Sequence, residues 1–474
     1  MSRPGTKDRP LRVAVIGSGP AGFYTVQHLL QKDELEVEID MYDRLPTPFG
    51  LVRYGVAPDH QKIKKVTAVY HKLAMRPEFR FFGNVDYGRD ISLTELSRHY
   101  HQIVFATGAQ TDRRLGITGE DLDGSHPATD FVAWYNGHPE FSNLEFDLSC
   151  ERAAVVGIGN VAVDVARILC RTVDELKKTD IADYALEALE TSRIREVYLL
   201  GRRGPAQAKF TNPEVKELGE LADTETTTLA EEVELDELSR KALESSGDKA
   251  TRRKVEILQS LVGRRQPEMS RKLRLRFLVS PVEILGDERN KVKAVRVVRN
   301  RLVESDWGDL RPEATNQTEL LESGLIFRSV GYRGVPLADL PFDDKRGVLP
   351  NEKGRIVDPS IPAALHGLYA SGWIKRGPSG VIGTNKPDAA ETVDCMLEDL
   401  RADRFLSDDD PASGKSRNAV EQYLRRRDVP YIGYPDWLKL DAIEIEMGKP
   451  LGRPRVKFTR REDFLAALER AGTT

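Results

Sequence analysis

Twice in this chain a short apolar run breaks into a glycine-rich turn and passes at once into a helical pattern, and this repetition restricts the fold more than any other feature. The first instance is residues 13–16, then Gly17-Ser18-Gly19-Pro20-Ala21-Gly22, a helical stretch over 21–31, and a second β-branched run over 37–42. A turn of this kind at a strand's carboxyl end suits a dinucleotide. The first glycine permits the tight turn, the second lets backbone approach a pyrophosphate, and the third lets helix and strand pack closely, while the helix N-terminus adds partial positive charge. Asp43 closes the next strand, about 20 residues past the turn as such sites require, where a carboxylate can hydrogen-bond ribose hydroxyls.

The second instance is residues 153–156, then Gly157-Ile158-Gly159-Asn160-Val161-Ala162, a helix from Val161 to about Arg171 and a strand over 197–200. Alanine replaces the third glycine, which the pattern tolerates. The following strand ends in Leu200-Gly201-Arg202-Arg203-Gly204, so two guanidiniums stand where an NAD site keeps a carboxylate. A planar fork of donors matches a phosphate, and the second site is therefore expected to select NADP through its 2′-phosphate.

Two such units fit the 474 residues, too many for one hydrophobic core. The expected class is α/β with two Rossmann-like dinucleotide-binding domains. A further apolar run over 103–106 is followed by loop residues to Pro127, which places a crossing between domains near 110. Short apolar runs over 325–330 and 368–370 suggest a return, so the expected division is 1–110, 111–332 and 333–474, with the domain of the first turn discontinuous. The charged stretch from Ala222 to Arg276 is expected to be exposed helix and loop, and 407–416 a polar linker.

Composition narrows the function. No apolar run reaches the roughly 18 residues of a membrane span, so no membrane insertion is expected. Residues 1–10 are polar and run straight into a strand, without a signal-like apolar segment, which points to a cytoplasmic protein. A net charge of −4 argues against nucleic acid as a partner. The three cysteines, Cys150, Cys170 and Cys395, form no CxxC pair, so neither a redox dithiol nor a Cys-ligated cluster is encoded and no metal site is expected. Redox chemistry would have to come from an organic cofactor.

Three further segments narrow the choice of family. They are Pro48-Phe49-Gly50-Leu51-Val52-Arg53-Tyr54-Gly55-Val56-Ala57-Pro58-Asp59-His60, the helix start Gly159-Asn160-Val161-Ala162-Val163-Asp164-Val165-Ala166-Arg167, and Gly372-Trp373-Ile374-Lys375-Arg376-Gly377-Pro378-Ser379-Gly380-Val381-Ile382-Gly383-Thr384-Asn385. Together they closely resemble the adrenodoxin reductase-like ferredoxin–NADP reductases, in their bacterial branch. The first turn itself sets Gly17, Gly19 and Gly22 against the first dinucleotide, and the resemblance implies FAD contacts at Ala21, Asp43, Leu51, Tyr87, Trp373, Gly380, Val381 and Ile382. It implies NADP(H) contacts at Gly159, Asn160, Val161, Arg202, Arg203 and Glu214, with Gly380 beside the nicotinamide. It also places His60 and Glu214 near the meeting point of the two cofactors as catalytic candidates, with Asp164 close enough to hydrogen-bond His60.

The implied activity is transfer from NADPH through FAD to a ferredoxin-type iron–sulfur protein, or the reverse. NADPH gives two electrons at once and a cluster takes one, and a flavin can hold the difference. Asn385-Lys386-Pro387 reads as a helix start whose N-terminal dipole would favour a reduced ring. Gly377, Gly380 and Gly383 fit backbone pressed on a flat ligand. The basic residues Arg252, Arg253, Lys254, Arg264, Arg265, Arg271, Lys272, Arg274 and Arg276 form a candidate docking patch for an acidic partner. Two other functions stay open on sequence alone: an NADPH-oxidising electron-input subunit of a larger complex of the glutamate synthase type, and a non-catalytic NADP-binding sensor.

Overall fold

The computed structural model describes residues 3–361, 364–406 and 416–472. Most of the expected 407–416 linker lies outside them. Two large sheets organise the chain. The first has seven strands in the order Asn351–Glu352, Arg355–Val357, Ala364–Ala370, Gln102–Phe105, Leu11–Ile16, Val37–Asp43, Phe79–Gly83. The five strands from Ala364–Ala370 to the edge strand Phe79–Gly83 pair in parallel, and the two at the opposite edge are antiparallel. Leu11–Ile16 is buried along its whole length, as expected of a parallel strand covered on both faces. The helices Pro20–Leu30 and Asn385–Arg401 pack on one face and share a core with Val13, Val15, Phe23, Val393 and Met396.

The second sheet has six strands, in the order Ser125–Pro127, Leu325–Arg328, Arg152–Val156, Glu196–Leu200, Arg271–Arg276, Thr224–Thr228, and every pairing is parallel. The chain leaves the first sheet for the second through Thr111–Asp112 and comes back through Tyr332–Arg333. These two segments pair with each other as a short antiparallel ribbon. The first sheet thus draws strands from both sides of the second, which makes its domain discontinuous. A three-stranded antiparallel sheet, Val279–Gly286, Val292–Glu304 and Leu310–Glu322, projects from the second unit. The C-terminal helices Tyr434–Gly448 and Arg461–Arg470 bury Trp437, Leu440 and Phe464 in the core of the first unit. Among the described residues no helix is long and apolar enough to cross a membrane.

The stretch 222–276 departs from its expected form. It contains the strand Thr224–Thr228 as well as helices, including Lys249–Gln259. A run of threonines carries no apolar signal, yet alternate members are buried here. Each buried hydroxyl donates to a backbone carbonyl: Thr224 to Cys170 O at 3.0 Å, Thr226 to Leu218 O at 2.6 Å and Thr228 to Leu258 O at 3.0 Å. β-Branched stiffness and satisfied hydroxyls let a polar sequence serve as an interior strand.

Candidate functional site

The first glycine turn is built by close packing at its ends and open space at its middle. Gly17 has φ 109°, and a Cβ there would lie 2.5 Å from Ala106 O. A Cβ on Gly22 would overlap Gly17 O, whereas one on Gly19 would meet nothing within 4 Å. This is the cradle a pyrophosphate needs: the outer glycines are required by the fold and the middle one by space. Asp43 ties the next strand to the turn. It accepts from Ser18 N at 2.9 Å, Ser18 Oγ at 2.5 Å and Leu45 N at 2.9 Å. Burial raises its pKa, and those hydrogen bonds oppose the rise.

Two of the segments expected at the flavin close on this turn, whereas Tyr87 contacts other residues. Phe49 holds an uncommon left-handed conformation at φ 85° and donates its N–H to Ser18 O at 3.0 Å. A Cβ on Gly50 would lie 3.0 Å from Gly19 Cα, and Leu51 follows, partly exposed at the start of the turn Leu51–Tyr54. From the other end of the chain, Gly372 sits against Ala21 so closely that a Cβ would overlap the alanine's. Trp373 packs its ring 5.2 Å from Tyr332 and donates Nε1–H to Ser379 O at 3.1 Å. Gly380 has φ 79°, and a Cβ there would overlap Thr384, while Gly377 and Gly383 have open space. Val381 is 57% exposed and Ile382 half-buried just before the helix Asn385–Arg401, which begins where expected. Tyr87 stacks edge-on to Phe105, at the end of a central strand, and donates its hydroxyl to Ala338 O at 2.7 Å.

The second turn repeats the design. Gly157 has φ 136° and would clash with Ser329 O, Gly159 is open, and Ala162 is buried. Asn160, the first residue of the helix Asn160–Cys170, buries an Oδ1 that has no protein partner, and Val161 packs partly buried on the core. Arg202 is exposed and Arg203 half-buried, and among the described residues neither is paired with a carboxylate. The Arg203 pKa is lowered, by burial first and then by the charge of Arg202. Two adjacent guanidiniums without a carboxylate partner have the chemistry to hold an anion.

Between the turns lies a charged cluster that the sequence reveals only in part. His60 belongs to this cluster, and its partner differs from the expected one. Asp164 Oδ1 stands 3.8 Å from His60 Nδ1, too far for the expected hydrogen bond, and Glu217 Oε2 lies 3.1 Å from Nε2 instead. Glu214 turns away from the histidine and caps the helix Asn212–Leu218, accepting from Thr211 N at 2.7 Å. Glu217 is three residues further on, one turn along that helix, and so reaches what Glu214 does not.

Arg167, fully buried, is the hub of this cluster. It pairs with Asp164 at 2.6 Å and with Asp59 and Glu217 at 3.1 Å, and its Nη1 also abuts His60 Nε2. Arg171 adds contacts to Asp59 at 2.6 Å and Glu217 at 2.7 Å. Ligand atoms of Asp59, His60 and Glu217 lie within 4.8 Å of one another, but the two guanidiniums already supply the compensating charge a metal would bring. Burial pushes the Asp164 carboxyl up to about 6, against the pull of Arg167 and His60. Burial acts on Glu217 too, but its bond to His60 and the charges of Arg167, His60 and Arg171 outweigh it and hold the carboxyl at about 2. His60 Nε2 therefore faces a donor and an acceptor at once. A protonated Nε2 donates to Glu217; a bare one accepts from Arg167.

The expected basic patch does not hold together as one face. Lys254 and Arg276 are buried, the first donating to Ala208 O and the second paired with Glu232 and Glu319. Arg274 is held by Glu196 and Glu225, Arg271 by Asp223 and Arg253 by Glu256. Arg264 donates to Gly219 O. Only Arg252, Arg265 and Lys272 remain exposed without an ion pair among the described residues. Burial rises along the strand Arg271–Arg276, from exposed Lys272 to buried Arg276, and so separates charges that are neighbours in sequence.

A family model described as pyridine nucleotide-disulphide oxidoreductase matches residues 11–219. The NADPH-ferredoxin reductase FprA of Mycobacterium tuberculosis is 43% identical over 461 residues, which span 96% of this chain and 99% of that protein. This chain belongs to the adrenodoxin reductase-like ferredoxin–NADP reductases. The mitochondrial NADPH:adrenodoxin oxidoreductase of Salvelinus fontinalis is a further relative, 40% identical over 94% of this chain and 89% of its own length. A solved structure of the M. tuberculosis FprA in complex with NADPH is similar with a TM-score of 0.89, covering 98% of this chain and 100% of that one at 43% identity. Within this reductase the disulphide of the family description has no counterpart, since all three cysteines are free thiols.

Proposed function

We propose that this reductase binds FAD at the Gly17–Gly22 turn and NADPH at the Gly157–Ala162 turn, and passes electrons from NADPH to a ferredoxin-type iron–sulfur protein. The observation that carries the reading is the pair of open backbone cradles at Gly19 and Gly159, each at the head of a helix and each followed one strand later by the group its nucleotide requires. Bound FAD supplies the conversion between a two-electron donor and a one-electron acceptor. The protein's part is to bind, orient and charge.

Asp43, locked by Ser18 and Leu45, presents a fixed carboxylate edge to the ribose of the first nucleotide. Arg202 and Arg203 grip the 2′-phosphate of the second, and the orphan Asn160 Oδ1, an acceptor, is free to take a hydrogen bond from an O–H or N–H of the same nucleotide. Phe49 to Leu51, Trp373 and Gly380 to Ile382 form the walls around the ring system. His60, between Arg167 and Glu217, is placed to donate or to accept a hydrogen bond at Nε2. Glu217 thereby takes the role expected of Glu214.

Domain limits at 110/111 and 332/333 accord with the ribbon of paired crossings. A cytoplasmic setting accords with three unpaired thiols, which persist in a reducing compartment. The ferredoxin docks against Arg252, Arg265 and Lys272, the exposed remainder of the basic cluster. The decisive experiment is cytochrome c reduction by NADPH with and without a ferredoxin, alongside ferricyanide reduction. Ferredoxin-dependent turnover on a flavin-loaded protein is expected. A protein that binds NADPH but never reduces its flavin would be the sensor instead.

A further inference from the structure

A second buried cluster, separate from the one around His60, joins three parts of the chain that lie far apart in sequence. Its centre is Asp180, 3% exposed, in the loop before the helix Asp183–Glu190 of the middle unit. Three donors converge on its carboxylate. Lys64 Nζ reaches both oxygens at 2.7 and 2.8 Å, Gln61 Nε2 donates to Oδ1 at 3.1 Å, and Lys457 Nζ stands 3.2 Å from Oδ2. Lys64 and Gln61 belong to the segment that carries His60, and Gln61 also donates to Pro58 O at 2.8 Å, so it holds the chain on both sides of that histidine. Lys457 comes from the C-terminal extension and is buried; besides Asp180 it reaches Asn136 O at 3.0 Å and Arg53 O at 3.4 Å.

The extension reinforces both ends of this tie. Arg453 donates to Thr179 O at 2.9 Å and also binds Ile181 O and Asp183, so it grips the loop on either side of Asp180. Glu444 forks Arg53 at 2.9 and 2.5 Å and accepts Phe458 N at 2.9 Å. A buried carboxylate, the buried Lys457, whose pKa burial pushes down, and the nearly buried Lys64 are costly to hold together, and such groups are directional because each must keep its partners. Apolar residues would join the units without setting their angle.

We infer that Asp180 and Lys457 are positioning residues for electron transfer from NADPH: together they lock the His60 segment to the NADPH-binding unit and fix the angle at which the two nucleotides meet. This rests on the reading given under Proposed function. Neither side chain belongs to either nucleotide cradle, so their loss leaves both binding sites intact and disturbs only the approach between them. A misplacement of about 1 Å at a reacting centre costs up to roughly a hundredfold in rate.

The test is Lys457→Met, which removes the tie to the extension but leaves Asp180 paired with Lys64. Flavin content and affinity for 2′,5′-ADP should match wild type. The saturating rate of flavin reduction by NADPH, followed by stopped-flow absorbance, should fall at least tenfold with little change in the NADPH concentration giving half-maximal rate. Gln61→Leu, at a half-buried position that tolerates change, should fold normally and show a smaller loss of the same kind. A folded, flavin-loaded Lys457→Met protein reduced within twofold of the wild-type rate would overturn the inference, as would loss of flavin from that variant. Should Lys457→Met fail to fold, a wild-type rate in Gln61→Leu would overturn it equally. Failure of the functional reading looks different: the wild-type flavin itself would not be reduced by NADPH.

Discussion

A single carboxylate three residues from the expected one decides how the cluster around His60 is wired. Glu214 and Glu217 share a helix, and only the residue's place on that helix separates a cap from a partner of His60. Spacing alone could have raised Glu217 as a candidate, but choosing between them requires knowing where the helix begins, which is the least legible part of any element. Arg167 was visible as part of the second nucleotide helix, yet nothing in its sequence marks it as buried or central. By contrast the place of Arg202 and Arg203 just past a strand end was legible, because it follows from the strand itself. Replacing both with glutamine should raise the NADPH Michaelis constant far more than that for NADH, with each charge-assisted contact contributing about 1.5 to 3 kcal/mol. Equal effects on the two coenzymes, measured by steady-state kinetics, would remove the arginines from phosphate binding. Asp164 supports a pH prediction. Its carboxyl is raised from 3.8 to about 6, chiefly by burial, so its ionised form costs stability at neutral pH and the cost fades as it takes up a proton below 6. Asp164→Asn should therefore raise the melting temperature more at pH 8 than at pH 5, as read by calorimetry.

Among the elements, the two strand–turn–helix units were the most legible because their glycines are read one position at a time. The structure separates those positions by physical role, and this gives a prediction at the level of the turn. Gly19 has an extended backbone and open space, so Gly19→Val should yield a folded, colourless protein. Gly22→Val would drive a side chain into Gly17 O and break the packing of helix on strand, so it should lower stability outright. Circular dichroism melts and the ratio of flavin to protein distinguish the two. A normal flavin content in Gly19→Val would sink the pyrophosphate assignment. The strand Thr224–Thr228 was hidden for the opposite reason: its burial is stabilised by hydroxyls bonding to distant carbonyls, and those partners are set by tertiary structure.

At the scale of the whole molecule, the class and the discontinuity were legible from the order of apolar runs, while the electrostatic surface was not, because pairing across the sheet decides which charges stay free. The surface prediction follows from the free ones. Neutralising Arg252, Arg265 and Lys272 together should slow ferredoxin-dependent cytochrome c reduction and leave ferricyanide reduction unchanged. The defect should shrink with added salt, since screening acts over about 8 Å at physiological ionic strength. Superimposable salt curves for the two proteins would move the docking surface elsewhere. The ribbon of paired crossings, Thr111–Asp112 against Tyr332–Arg333, has a consequence of another kind. Because the middle unit enters and leaves at adjacent points, it is in effect a cassette carried on a two-stranded stalk. Genetic exchange of that cassette between reductases would cut the host at a single place in space, and nicotinamide preference could change hands while the flavin half stayed as it was.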